Sequence, residues 1–186
     1  MSEENLLIVD DEANVISALK RVFVDDPYRI YSANSALEGM DIIKNNRIKV
    51  IISDEKMPEI TGAEFLSTVR RDYPNIVRIM LTGHASLEAA MKAINQGGIY
   101  RFFMKPWTEL DLRFAVKSAF EKFDLEEENR RLLSIVKKQA VDLKLIEKQY
   151  PGIAQINRDE QGSILLPNIS SEELSQIIAE CEKEFG

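Results

Sequence analysis

The chain has 186 residues, with 24 Lys or Arg against 31 Asp or Glu, a net charge of −7, and one cysteine, Cys181. That length allows one good-sized domain plus an appendage, and one cysteine excludes an internal disulfide. An acidic balance disfavours nucleic acid as a direct partner, because such binding needs a basic face that displaces counterions from phosphates.

The first 110 or so residues carry short apolar runs at Leu6 to Val9, Tyr28 to Tyr31, Val50 to Ile52, Ile76 to Leu81 and Ile99 to Phe103. They lack the alternation of a half-exposed strand, as expected of parallel strands buried on both faces. Helical stretches separate them, which is the pattern of right-handed strand-helix-strand crossovers and predicts an α/β fold. From Glu109 to about Gln149 a helical pattern runs without Gly or Pro, beyond the length of an ordinary globular helix. A heptad seam can be written along it as Leu125, Asn129, Leu132, Val136, Gln139, Leu143, Ile146 and Tyr150. With Leu125 at d, Asn129 falls at a, where a buried Asn fixes register and favours a parallel pair. Residues 121–150 hold seven basic and seven acidic side chains, so their charges can pair across e and g. The predicted element is a coiled coil forming a parallel homodimer; the alternative is one amphipathic helix folded back on its own domain.

Pro151 and Gly152 end the helix. Ile153 to Leu166 reads as two short strands around a turn at Asp159 to Gly162, and Ser170 with Glu173 resembles a capping box opening a helix from about Ser171 to Glu184. The apolar face of that helix, Leu174, Ile177, Ile178 and Cys181, needs a covering surface, so the tail is expected to pack on the coil or on an unidentified protein partner. Residues 151–186 carry Arg158 and Lys183 against seven acidic side chains, which again argues against nucleic acid. No apolar run approaches the roughly 18 residues that span a bilayer, and the opening Met-Ser-Glu-Glu-Asn lacks the basic and apolar regions of a signal peptide. A cytoplasmic protein without membrane attachment is expected.

In an open parallel sheet the ligand crevice lies beyond the carboxyl ends of the strands. Asp10 and Asp11 follow the first apolar run, Asp54 the third, Thr82 the fourth and Lys105 the fifth. Convergent carboxylates repel, so a hard divalent cation with oxygen ligands is their natural occupant; zinc would want His or Cys, and the chain has only His84 and Cys181. Beside such an ion Asp54 is placed to attack a phosphoryl group in line, with the Lys105 ammonium balancing charge on the equatorial oxygens. Thr82 could then turn its hydroxyl toward the new phosphate.

These four sites, in this order at strand ends, resemble the receiver domain of bacterial two-component response regulators over roughly residues 1–120. The resemblance implies a flavodoxin-like, doubly wound five-stranded sheet of order 2-1-3-4-5 over residues 1–120; the heptad and tail patterns add the coiled coil at 121–150 and a small ββα tail at 151–186. It implies Asp54 as phosphoacceptor and magnesium as cofactor. Asp11 would bind the ion directly, Asp10 mainly through water, and the Lys56 carbonyl would be a third protein ligand. Thr82 becomes the switch hydroxyl, Lys105 before Pro106 the family's lysine, and Phe102 the aromatic switch position. Phe102 lacks the hydroxyl many receivers carry there, so it is expected to pack in the core and to rotate by packing alone. Lys56 and His84 flank the phosphoryl site and would tune hydrolysis, Lys56 by hindering the attacking water.

The implied partner is a sensor histidine kinase or phosphotransfer protein, paired through the exposed face of the first helix, including Val15, Ala18, Leu19 and Val22, although an apolar pattern there serves core packing too. The expected function is a phosphorylation-controlled switch of dimerisation or protein binding, with no output enzyme visible. One alternative is the regulatory receiver of a larger signalling enzyme, such as a cyclic-dinucleotide phosphodiesterase. Another is an aspartate-nucleophile phosphohydrolase, whose Asp-x-Asp pair is disfavoured by Glu12 standing two residues after Asp10.

Overall fold

The computed structural model describes residues 3–83, 98–149, 157–158, 164–165 and 175. They fall into two compact units, Met1–Arg131 and Leu132–Gly186.

In the first unit, β1 (Asn5–Val9), β2 (Arg29–Ala33), β3 (Val50–Asp54), β4 (Val77–Thr82) and β5 (Arg101–Met104) form one sheet of order β2-β1-β3-β4-β5 with every pairing parallel. This is the parallel α/β fold expected from the apolar runs, in the doubly wound order 2-1-3-4-5 that the resemblance implies. Successive strand residues point to opposite faces, and two cores result. Leu6, Ile8, Val50, Ile52, Ile79 and Leu81 face one layer with Ile16 and Leu19 of α1 (Ala13–Val22). Leu7, Val9, Ile51 and Met80 face the other, with Ile43 of α2 (Ala36–Asn45) and Phe65, Leu66 and Val69 of α3 (Gly62–Asp72).

Burial on both faces holds for β1, β3 and β4, whose residues are all buried. It does not hold for β2 and β5, which are largely half-buried or exposed. Both are edge strands, with a neighbour on one side only. Leu19 and Val22, read as part of a partner-facing surface of α1, are core residues here, whereas Val15 and Ala18 are half-buried.

The last helix, α4 (Glu109–Gln149), is continuous for 41 residues, about 60 Å at 1.5 Å per residue. Thr108 opens it, accepting the Asp111 backbone N–H at 3.3 Å and so meeting one of the amides that a helix start leaves unpaired. Leu112, Ala115, Val116, Ala119, Phe120 and Phe123 bury its first half against the sheet, with Tyr28 stacked on Phe120 at 4.7 Å between ring centroids.

At the end of that buried stretch Lys49, which has no solvent-exposed side-chain area, reaches Asp124 at 2.7 Å, and its ammonium lies 5.5 Å from the Phe123 ring centroid. Arg47 pairs with Glu127 one turn on. Beyond this point every described seam residue from Leu125 to Ile146 is exposed; Tyr150 lies outside the described residues. In the second unit β6 (Asn157–Arg158) and β7 (Ile164–Leu165) pair antiparallel, as the hairpin reading of the tail expects. The predicted tail helix lies outside the described residues apart from Ser175, which is helical. No helix among the described residues is long and apolar enough to cross a membrane.

Candidate functional site

Strand register brings the polar strand ends together. Val9 pairs with Ser53, Asp54 with Leu81, and Thr82 with Met104, so Asp10, Asp54, Thr82 and Lys105 meet at one edge of the sheet. The Lys105 ammonium lies 3.1 Å from Asp10 Oδ2 and 2.5 Å from Asp54 Oδ1. Each carboxylate's other oxygen accepts a backbone N–H two residues on: Glu12 donates to Asp10 Oδ1 at 2.9 Å, and Lys56 to Asp54 Oδ2 at 2.6 Å. Both carboxylates are thereby held in fixed orientation.

Asp10 is 1% exposed, and burial raises its pKa above the ordinary carboxylate value. The Glu12 amide and the Lys105 ammonium oppose that rise, and the neighbouring Asp54 charge adds to it. Burial alone would lower the Lys105 pKa. Its hydrogen bonds to Asp54 and Asp10, together with their charges, outweigh the burial and raise it, so Lys105 stays a cation at neutral pH.

The loop after Asp54 is built against its backbone. Thr61 and Glu64 cap α3 reciprocally, and the next residue after Thr61, Gly62, donates its N–H to Glu55 O at 2.9 Å. A Cβ at Gly62 would stand 1.8 Å from the Asp54 carbonyl oxygen. Only a glycine permits so close an approach of helix start to strand end.

Asp10, Asp54 and Lys105 are thus in direct contact. Thr82 is 4% exposed, and its hydroxyl donates to Glu55 Oε2. Lys56 has an exposed side chain, and Asp11 is exposed on the bend after β1. Phe102, expected in the core, is 37% exposed, because β5 is an edge strand. His84 lies outside the described residues. Sequence reasoning passed over Glu55, Gly62 and Lys49. Glu55 and Gly62 sit beside Asp54 in the chain, but only the register of β3 on β4 and the entry of α3 reveal their contacts.

Among the described residues no three His, Cys, Asp or Glu side chains converge as a ready metal cage; a lysine bridges the two buried carboxylates instead. The donor chemistry nevertheless fits a hard cation. It offers oxygens only, and one of its two carboxylates, Asp10, is disfavoured in its charged form by burial. Beside Lys105 an open cleft of about 430 Å³ is lined by Val15, Pro106 and Trp107.

A family model described as the response regulator receiver domain matches residues 6–117, more than half of the chain. The hydrogenase transcriptional regulatory protein HoxA of Cupriavidus necator is 35% identical over 130 residues, covering 70% of this chain and 27% of that protein. The same-named protein of Bradyrhizobium diazoefficiens is matched over 31% of its length, so this chain spans less than a third of either regulator. Sporulation initiation phosphotransferase F of Bacillus subtilis is 30% identical over 117 residues, covering 63% of this chain and 94% of that one. Among solved structures, the signal receiver domain of an HD domain-containing protein from Pseudomonas fluorescens superposes with a TM-score of 0.64 at 29% identity, covering 66% of this chain and 98% of that one. A structure described as adenylate cyclase from Rhodopirellula baltica superposes at 0.67 with 33% identity, covering 72% and 98%.

Proposed function

Because the chain belongs to the response regulator receiver domain family, we propose that it is a two-component switch in which Asp54 accepts a phosphoryl group from a phosphohistidine of a sensor kinase or phosphotransfer protein. The observation that carries this reading is the Lys105 ammonium shared between Asp10 and Asp54. It supplies a cation where charge must be balanced, beside an aspartate oriented by the Lys56 amide at the carboxyl end of β3.

In the transfer an Asp54 carboxylate oxygen forms the new P–O bond as the donor's P–N bond breaks, and the imidazole leaves with that electron pair. Lys56 N–H orients the carboxylate, and Lys105 is within reach of the phosphoryl oxygens. Asp10, Asp11, Asp54 and the Lys56 carbonyl would hold magnesium, which when bound neutralises charge on the phosphoryl oxygens. The half-buried Val15 and the cleft beside Lys105 offer the donor a docking surface. The chain's chemistry is then self-directed: phosphotransfer to Asp54 and its later hydrolysis, which the Lys56 side chain slows and Lys56→Ala should accelerate. With Thr82, the Phe102 side chain at the edge of β5 is the switch pair whose rearrangement changes the face presented to partners.

Output runs through α4. Leu125, Leu132, Val136, Leu143 and Ile146 are between 43% and 66% exposed in the single chain, and covering each such side chain contributes roughly 1.5–3 kcal/mol. That exposure supports a covering partner along the seam, which with Asn129 at an a position we read as a parallel homodimer; a protein partner for the tail and a cytoplasmic setting belong to the same proposal. A second reading, the regulatory receiver of a larger signalling enzyme, is favoured by the small fraction of the hydrogenase regulators this chain spans and by neighbours described as an adenylate cyclase and an HD domain-containing protein. The length of the natural open reading frame separates the two.

The test of the central step is incubation with magnesium and acetyl phosphate, followed by mapping of the acyl phosphate. Modification at Asp54 that is lost in Asp54→Asn supports the proposal. Absence of modification, or its appearance elsewhere, overturns it.

A further inference from the structure

The hydroxyl that the switch requires is already engaged. Thr82 Oγ1 donates to Glu55 Oε2, and a hydroxyl has a single proton to give. Strand register makes this contact. Asp54 pairs with Leu81, so the residues that follow, Glu55 and Thr82, are neighbours at the same sheet edge.

The backbones of both are fixed. Glu55 N–H donates to Leu81 O at 2.8 Å, and Glu55 O accepts from Gly62 N at 2.9 Å, while Thr82 O accepts from Lys105 N at 2.7 Å. Thr82 is buried and Glu55 half-buried, so the bond lies partly out of water, where a charged acceptor holds a hydroxyl more firmly than a neutral one.

We propose that Glu55 is a positioning residue that latches Thr82 in the unphosphorylated arrangement, so that a phosphoryl group on Asp54 must displace the Glu55 carboxylate to receive the Thr82 hydroxyl. The proposal rests on the phosphoacceptor reading of Asp54 and deepens it. Two acceptors compete for one proton: the strength of the Glu55 contact sets how readily the site adopts its phosphorylated form, and a receiver lacking an acceptor there switches more easily. Glu55 acts through Thr82 and touches no reacting atom.

The experiment is a titration of the full chain with beryllofluoride, a phosphoryl mimic, at saturating magnesium, read by the fluorescence of Trp107, the chain's one tryptophan. Glu55→Gln removes the charge but keeps an oxygen acceptor; Glu55→Ala removes both. Charge relief alone tightens both variants alike, and Glu55→Gln keeps a weaker, neutral latch, whereas Glu55→Ala loses the latch and tightens by a further factor of about five over Glu55→Gln, the scale of one hydrogen bond. In a Thr82→Val background that extra factor should vanish.

Equal affinities for Glu55→Ala and Glu55→Gln overturn the latch, as does a difference that persists without the Thr82 hydroxyl. If the parent chain fails to bind the mimic, or if Asp54→Asn binds it equally, the phosphoacceptor reading fails first and the latch with it. Glu55 is half-exposed and outside the hydrophobic core, so both variants are expected to fold; matched thermal unfolding midpoints check this.

Discussion

The two halves of α4 share one uninterrupted backbone but depend on different things. From Leu112 to Phe123 six side chains are buried in the receiver's own core, whereas from Leu125 onward Leu132, Leu133, Val136, Val141 and Leu143 are each at least half exposed. Neither half has a glycine or proline to break it, so helical continuity is local, while stability in the first half is tertiary. A helix without tertiary cover is marginal in water, so the second half is the part whose state a partner can change. Lys49 on Asp124 and Arg47 on Glu127 tie the last buried turns of the helix to the receiver.

The sharpest way to break this contrast is to truncate one apolar residue in each half. Phe120→Ala should lower stability by about 3–5 kcal/mol in urea unfolding, as cavity formation in a packed core does. If it costs no more than an exposed residue, the first half is not held as described. At the site end of the same domain, Gly62→Ala forces α3 away from the Asp54 carbonyl, a backbone clash that no rotamer relieves. We expect roughly 1–3 kcal/mol of destabilisation and slower uptake of phosphoryl from acetyl phosphate.

The ties between helix and receiver should respond less. Removing one partner of a fully buried ion pair costs about 3–5 kcal/mol, but the Asp124 side chain is 48% exposed and is not the sole interaction of Lys49. Asp124→Ala is therefore expected at roughly 1–2 kcal/mol, measured against Asp124→Asn, which keeps an acceptor for the buried ammonium. Smallest is Leu132→Ala, expected within about 0.5 kcal/mol on the receiver's unfolding transition while weakening self-association in sedimentation. A large effect on the receiver itself would show that the second half is part of that core.

The same contrast explains what could be read from the chain. Asp10, Asp54, Thr82 and Lys105 were legible because each closes an apolar run, and a parallel sheet gathers such ends whatever the strand order. The apolar runs alone do not show strand position: the order 2-1-3-4-5 comes from the resemblance and already makes β5 an edge, which leaves Phe102 exposed where packing is expected. Nor do they show register, so the meeting of Glu55 with Thr82, set by the pairing of Asp54 with Leu81, had no signal in spacing. Lys49, beside a buried strand, reads as a solvated lysine until a helix 75 residues later brings Asp124 to it.

We propose that charge placed on Asp54 changes how α4 pairs. Solution molar mass by light scattering, with magnesium alone and with magnesium plus beryllofluoride, tests it most directly. The expected result is a shift toward the two-chain mass with the mimic, absent in Asp54→Asn and absent when Leu132 and Val136 are both changed to Ser. An unchanged mass with and without the mimic, whether of one chain or two, would contradict it.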